Sequence, residues 1–139
     1  MEKCMTTFAE IRQKIMEKHD LFLDEPFQLG FDCAISDSDR KQSMYLAELK
    51  NSDGRRFLRI ESPIAPLADL DPEKCLRINL MQRIGYLAVG DMDGAPYIKV
   101  CENVPYAVLN AQELEYAIRS IAPFADLIEQ TLEPAADLT

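Results

Sequence analysis

The sequence has few of the residues from which catalytic and metal sites are built. Its one histidine is His19, and its four cysteines, Cys4, Cys33, Cys75 and Cys101, form no Cys-x-x-Cys pair. Zinc sites and redox pairs use closely spaced ligands, so neither is predicted. The five glycines are scattered, and none forms a phosphate-binding loop. We therefore predict no catalytic residue, no metal and no cofactor, and expect a protein that is not an enzyme.

Long apolar runs and basic segments are also lacking. No run approaches the roughly 20 apolar residues that a membrane-spanning helix needs, and no basic-then-apolar signal peptide is visible. We expect a cytoplasmic protein that does not contact membranes. The 15 basic residues are outnumbered by 24 acidic ones, for a net charge of −9. This charge repels a phosphate backbone, so nucleic acid is not an expected partner.

What is present suits one compact domain. The chain has 139 residues, of which 47% are hydrophobic, enough for a single core without disulfide or metal support. We predict one α+β domain over 1–139, with a frayed tail at 133–139. The order is α-β-β-β-α-β-β-α: an antiparallel sheet of about five strands with three helices. Helices are predicted at 7–19, 71–85 and from Asn110 onward, with Pro123 kinking or interrupting the last; strands are predicted at 27–35, 44–49, 57–61, 86–89 and 97–100.

Two short patterns have an ordinary structural interpretation. Asp91-x-Asp93-Gly94 is similar to the start of a calcium loop, but strand-like residues follow it, so we predict a hairpin turn. His19 falls at the end of the first predicted helix, where an imidazolium interacts favourably with the helix dipole. Cys33 and Cys101 occupy apolar strand positions and are interpreted as core residues.

The second predicted helix has more apolar surface than one sheet contact requires. One stripe contains Leu76, Leu80 and Ile84, and another contains Ile78, Met81 and Gly85. Ile78 and Met81, with Tyr86, are predicted to form a symmetric dimer contact, since such a stripe on an acidic protein needs cover. The alternative is that the segment 64–70 covers it.

A second apolar set is offered by the first helix and the first strand. Its members are Phe8, Ile11, Ile15, Leu29 and Phe31. They are candidates for holding a partner peptide, and their simpler use is formation of the core.

The second half of the chain resembles two related bacterial families. The stretch from Leu76-Arg77-Ile78-Asn79-Leu80 through Ala88-Val89-Gly90-Asp91-Met92-Asp93-Gly94 and Tyr97-Ile98-Lys99-Val100 to Leu114-Glu115-Tyr116-Ala117-Ile118 is similar to type III secretion chaperones of the CesT-like class. It is equally similar to the YbjN-like family of bacterial sensory-transduction regulators. The shared features are an asparagine in the helix before the hairpin, a hairpin turn made of acidic residues and glycine, and a C-terminal helix that begins with acidic residues.

The resemblance implies a cytoplasmic, acidic, homodimeric α+β domain of the type III secretion chaperone-like fold. In those chaperones an extended, secreted effector-like partner lays apolar side chains into surface grooves, without turnover. We therefore expect a noncatalytic, chaperone-like protein-binding module. The alternatives are a YbjN-like regulator that acts through protein contacts, and a small-ligand receptor or enzyme with a cryptic pocket.

Overall fold

A computed structural model describes residues 3–131 of the chain. The predicted α+β class with three helices is confirmed, but the sheet has six strands instead of about five. The predicted frayed tail at 133–139 lies outside the described residues. The elements in chain order are α1 Phe8–Met16, β1 Leu21–Glu25, β2 Gln28–Ala34, β3 Lys41–Lys50, β4 Arg56–Pro66, a 3₁₀ turn Leu67–Asp69, α2 Pro72–Met81, β5 Tyr86–Met92, β6 Ala95–Pro105, a 3₁₀ turn Tyr106–Val108 and α3 Ala111–Thr131.

The sheet is antiparallel throughout, in the order β1-β2-β3-β4-β6-β5. The extra strand is β1, for which the sequence predicted no strand, and it pairs with β2 at one edge. Strand β4 is longer than the predicted 57–61, because it continues through Pro63 and ends at Pro66. The register shifts between Pro63 and Ala65, a bulge that accommodates the missing proline N–H.

Each helix is capped by a side chain at the residue where the sequence predicts the helix to begin. The Thr7 hydroxyl accepts the Glu10 N–H at 3.2 Å, and Asn110 Oδ1 accepts the Glu113 N–H at 2.8 Å. Asp71 Oδ1 likewise accepts the Glu73 N–H at 3.0 Å, with Pro72 at the first helical position. A side-chain acceptor at this point satisfies one of the unpaired amide groups of the first turn.

The predicted end of the second helix at Gly85 and the predicted interruption of the third at Pro123 are wrong. Helix α2 ends at Met81 and not at Gly85. Helix α3 runs to Thr131 without interruption at Pro123. Its packing explains why, since buried side chains on both sides of Pro123, including Ile121 and Ala125, hold it against the sheet.

The core lies between one face of the sheet and the helices. On β3 and β4 the even-numbered positions 44, 46, 58, 60 and 64 are buried, while the odd-numbered ones between them are half-exposed. This period of two places the helices of residues 3–131 on one side of the sheet. The other side, called here the helix-free face, has no helix among these residues. The hairpin between β5 and β6 turns at Asp93 and Gly94, both with positive φ (52° and 82°), as a two-residue turn requires.

Candidate functional surfaces

The predicted partner-binding residues lie in the core. Phe8, Ile11, Ile15, Leu29 and Phe31 are all at most 3% exposed. Their side chains fill the space between α1 and the sheet, which is the simpler use that the sequence left open. They offer a partner almost no surface, so any binding site for a protein segment has to be built from other residues.

The three predicted dimer residues do not form one exposed patch. Ile78 is half-buried against the core, whereas Met81 is 72% exposed. Tyr86 is half-buried, and its hydroxyl accepts a hydrogen bond from Asn103 Nδ2 at 2.9 Å. The segment 64–70 does not cover Met81, because its own apolar side chains, Ile64, Leu67 and Leu70, pack against the core.

The exposed apolar side of α2 consists of other residues. Leu76 is 69% exposed and Leu80 is 84% exposed, and with Met81 they form what we call the α2 outer stripe. The sequence predicted surplus apolar surface on this helix but expected Leu76 and Leu80 to face the sheet. The sheet-facing residues are instead Cys75, Ile78 and Asn79.

Asn79 explains this orientation. Its Nδ2 donates to the Leu87 carbonyl at 3.1 Å, and its Oδ1 accepts the Leu87 N–H at 2.6 Å. Leu87 lies on β5, and β5 and β1 form the two edges of the sheet. The Asn79 side-chain amide therefore bonds to the backbone of an edge strand, as a neighbouring strand would. Helix α2 therefore lies beside the sheet edge, and its outer stripe points away from the core.

The helix-free face combines aromatic side chains with one ion pair. Phe22 packs edge-on against Tyr45 with ring centroids 5.5 Å apart. A cavity of about 300 Å³ lies beside Tyr45 and is lined in part by Glu61 and Lys99. These two are joined by a 3.0 Å contact between Lys99 Nζ and Glu61 Oε1, with side chains 20% and 26% exposed. Phe22 itself is 52% exposed, so this face is partly apolar and accessible.

Three of the cysteines and His19 have environments that disfavour reactivity. Burial raises the pKa of Cys33 and of Cys75, and it raises the pKa of Cys101 to about 11. Their thiols are therefore protonated at neutral pH and are poor nucleophiles. His19 stacks on Phe31 with ring centroids 4.4 Å apart, and burial lowers its pKa, so its ring is neutral at pH 7. It packs as an aromatic ring instead of interacting as a cation with a helix end.

A second cavity, the α1–α3 groove, has a volume of about 370 Å³. The groove lies between the end of α1 and the first half of α3, with Cys33 of β2 beneath. Its residues are Lys14, Ile15, Glu17, Lys18, His19, Cys33, Ala111, Leu114, Glu115, Ile118 and Arg119. Buried aliphatic residues form its floor, and charged residues form its rim.

Comparisons with protein-family models, curated proteins and solved structures return no match. Within residues 3–131, no helix is long and apolar enough to cross a membrane. Over the same residues, no group of three or more His, Cys, Asp or Glu side chains is placed to hold a metal ion. Three surfaces are therefore described as candidates: the α2 outer stripe, the helix-free face and the α1–α3 groove.

Proposed function

We propose that this protein is a noncatalytic, chaperone-like protein-binding module that works as a homodimer. The observation that carries the proposal is the α2 outer stripe. Leu76, Leu80 and Met81 are 69–84% exposed, and they adjoin one another on a single helix. Burying one such side chain contributes about 1.5–3 kcal/mol, so leaving the stripe in water is costly for a protein that has no use for it.

A second copy of the chain is the occupant that we assign to the α2 outer stripe. A twofold axis beside α2 brings the stripe against its own equivalent, as in other isologous interfaces. Val89 of β5, the strand that α2 contacts, is also exposed, at 57%. The net charge of −9 disfavours indiscriminate association of many copies. A closed dimer covers the stripe, whereas an uncovered stripe favours aggregation.

The partner segment is assigned to the helix-free face. Phe22 of β1 is 52% exposed, and it packs against Tyr45 on this face. An extended segment with alternating apolar side chains matches the spacing of such a surface. The four cysteines are free thiols, which supports a reducing compartment such as the cytoplasm.

The dimer is tested with the double variant Leu76→Ser, Leu80→Ser. Because neither side chain contributes to the core, we expect the circular dichroism to be unchanged and the mass measured by light scattering to halve. The matched control is Tyr116→Ser, Leu127→Ser, which removes two side chains of α3 that are 57% and 60% exposed. An unchanged mass in the first variant, or an equal loss in the control, contradicts the dimer proposal.

Partner binding is tested by capture from the native cell extract with the full chain as bait. We expect one protein in stoichiometric amount, whose binding is lost in the variant Phe22→Ser. It should persist in the Leu127→Ser control, because Leu127 lies on α3 and not on the sheet. Equal capture by both variants would move the binding site away from the helix-free face, and no stoichiometric protein would overturn the proposal.

A further inference from the structure

The α1–α3 groove has properties that the protein-binding proposal does not use. Its volume of about 370 Å³ is at the lower end of the range of small-molecule pockets. Ile15, Leu114 and Ile118, which are 3–7% exposed, line its floor. A floor of this kind favours an apolar group of small size.

The side chains at the bottom of the groove carry no charge at neutral pH. His19 is neutral because burial lowers its pKa, and Cys33 stays protonated because burial raises its pKa. A charged ligand group is therefore excluded from the floor by the cost of desolvation, since the floor offers no counter-charge. Any charge on the ligand has to remain at the rim.

The rim is more basic than the rest of the protein. The rim has three basic side chains, Lys14, Lys18 and Arg119, and two acidic ones, Glu17 and Glu115. It therefore has one positive charge in excess, although the net charge of the chain is −9. Glu115 Oε1 is shared by Lys18 Nζ at 3.2 Å and Arg119 Nε at 3.8 Å. Two cations that share one carboxylate leave donor capacity for a second anion.

We propose that the α1–α3 groove binds a small amphiphile that consists of an apolar chain or ring and one carboxylate. The apolar part lies on Ile15, Leu114 and Ile118, and the carboxylate lies at the rim between Lys18 and Arg119. Medium-chain fatty acids and aryl-alkanoic acids both have this chemistry. The site is separate from the α2 outer stripe and from the helix-free face, so it goes beyond the proposed function.

Chain length and charge supply the first test, a calorimetric titration of the full chain with alkanoates. Affinity should rise from hexanoate to octanoate to decanoate by up to about fourfold per methylene group, until the groove is full. Phenylpropanoate tests the aromatic form of the ligand. Decyltrimethylammonium, which has the opposite charge, should bind more weakly than decanoate. Equal binding of the two amphiphiles, or no binding of any carboxylate, overturns the proposal.

Variants identify the site. Lys18→Gln, Arg119→Gln should weaken decanoate binding by about fivefold, as expected for two solvent-exposed charges. Ala111→Phe places a ring at the groove and should abolish binding, whereas Gln112→Phe, on the neighbouring exposed position of α3, should not. Circular dichroism checks that each variant is folded. If Ala111→Phe folds and still binds decanoate with the affinity of the native chain, the groove is not the site.

Chemical shifts separate this site from other apolar surface. Decanoate should shift the amide signals of His19, Leu114 and Ile118, and it should do so equally in the Leu76→Ser, Leu80→Ser variant. That result is independent of whether the protein dimerises. Shifts confined to α2 or to the helix-free face would assign the amphiphile to general apolar surface and overturn the proposal.

Discussion

Helices α2 and α3 differ in where they meet the sheet. Helix α3 has 21 residues and buries eight of them across β3, β4 and β6. Helix α2 has 10 residues and buries only Cys75, although its sequence is also rich in apolar residues. The first lies over the face of the sheet, and the second lies beside the edge formed by β5. A helix over a face buries a broad apolar stripe, whereas a helix beside an edge has only a narrow contact.

At the sheet edge, α2 is held by polar contacts, whereas α3 is held by apolar contacts to the face of the sheet. The Asn79 amide makes two hydrogen bonds to Leu87, where α3 has aliphatic side chains in the corresponding inward positions. The consequence for function is direct, because apolar residues that are not needed for the core remain on the surface. The α2 outer stripe exists because α2 is an edge helix.

The largest effect that this comparison predicts is on folding stability. Ile121 of α3 is fully buried, so Ile121→Ala should lower the free energy of unfolding by about 2–5 kcal/mol. Leu80→Ala on α2 should change it by less than about 0.5 kcal/mol, because Leu80 is 84% exposed. Urea denaturation measures both.

Self-association has to be separated from folding in that measurement. Denaturation at two protein concentrations tenfold apart shows any contribution of the dimer as a concentration dependence. A loss of several kcal/mol for Leu80→Ala that does not depend on concentration would show that the stripe supports the monomer. The distinction between the two helices would then fail.

A second difference concerns ion pairs, and its expected effect is smaller. Asp126 of α3 is 6% exposed, and its carboxylate accepts hydrogen bonds from Arg40 Nε at 3.0 Å and 3.1 Å and from Gln130 Nε2 at 2.6 Å. Asp126→Ala removes these bonds and should cost about 1.5–2 kcal/mol in urea denaturation. This loss of stability is at the lower end of the range for charged hydrogen bonds, because the half-exposed Arg40 side chain can bind water in place of Asp126.

Asp126→Asn is the matched control for this prediction. It keeps one acceptor oxygen for Arg40 and should therefore cost less than Asp126→Ala. If the two variants lose the same stability, the negative charge and not the bond to Arg40 accounts for the effect.

Sequence patterns predicted the elements better than their placement. The caps at Thr7, Asp71 and Asn110 and the turn at Asp93-Gly94 are local features, so residues three or four apart determine them. The position of α2 depends on Asn79 meeting a strand that comes later in the chain. No periodicity reveals such a contact, since an asparagine on a helix usually faces water.

The sequence also did not reveal two further features, because each depends on contacts between residues that are far apart in the chain. Gln42 and Ser62 are buried at core positions of β3 and β4, where Gln42 Nε2 donates to Ser62 Oγ at 3.0 Å. Their polarity gave no signal of burial. The α1–α3 groove joins residues about a hundred positions apart, such as Lys18 and Glu115, and only the fold brings them together.

The edge contact itself is tested by Asn79→Ala. Loss of both hydrogen bonds to Leu87 should cost about 1–2 kcal/mol and should increase the amide hydrogen exchange of Leu87, which then lacks a partner on that side. Asn79→Asp keeps the acceptor for the Leu87 N–H and should protect that amide better than alanine does. Unchanged exchange in Asn79→Ala would mean that the backbone of β5 holds the edge without the helix.

The smallest effect is expected for the exposed ion pair of α2. Arg77 Nε lies 2.9 Å from Glu73 Oε2 one helical turn away, and both side chains are more than 70% exposed. Arg77→Gln should lower the free energy of unfolding by only about 0.3–0.5 kcal/mol, and this loss should shrink at high salt because exposed charges are screened. Urea denaturation at low and high salt tests both statements against Asp126→Ala, whose partly buried pair should be less sensitive to salt. If Arg77→Gln costs as much as Asp126→Ala and the cost does not depend on protein concentration, then the outer side of α2 supports the folded monomer, and the contrast between an exposed edge helix and a packed helix does not hold.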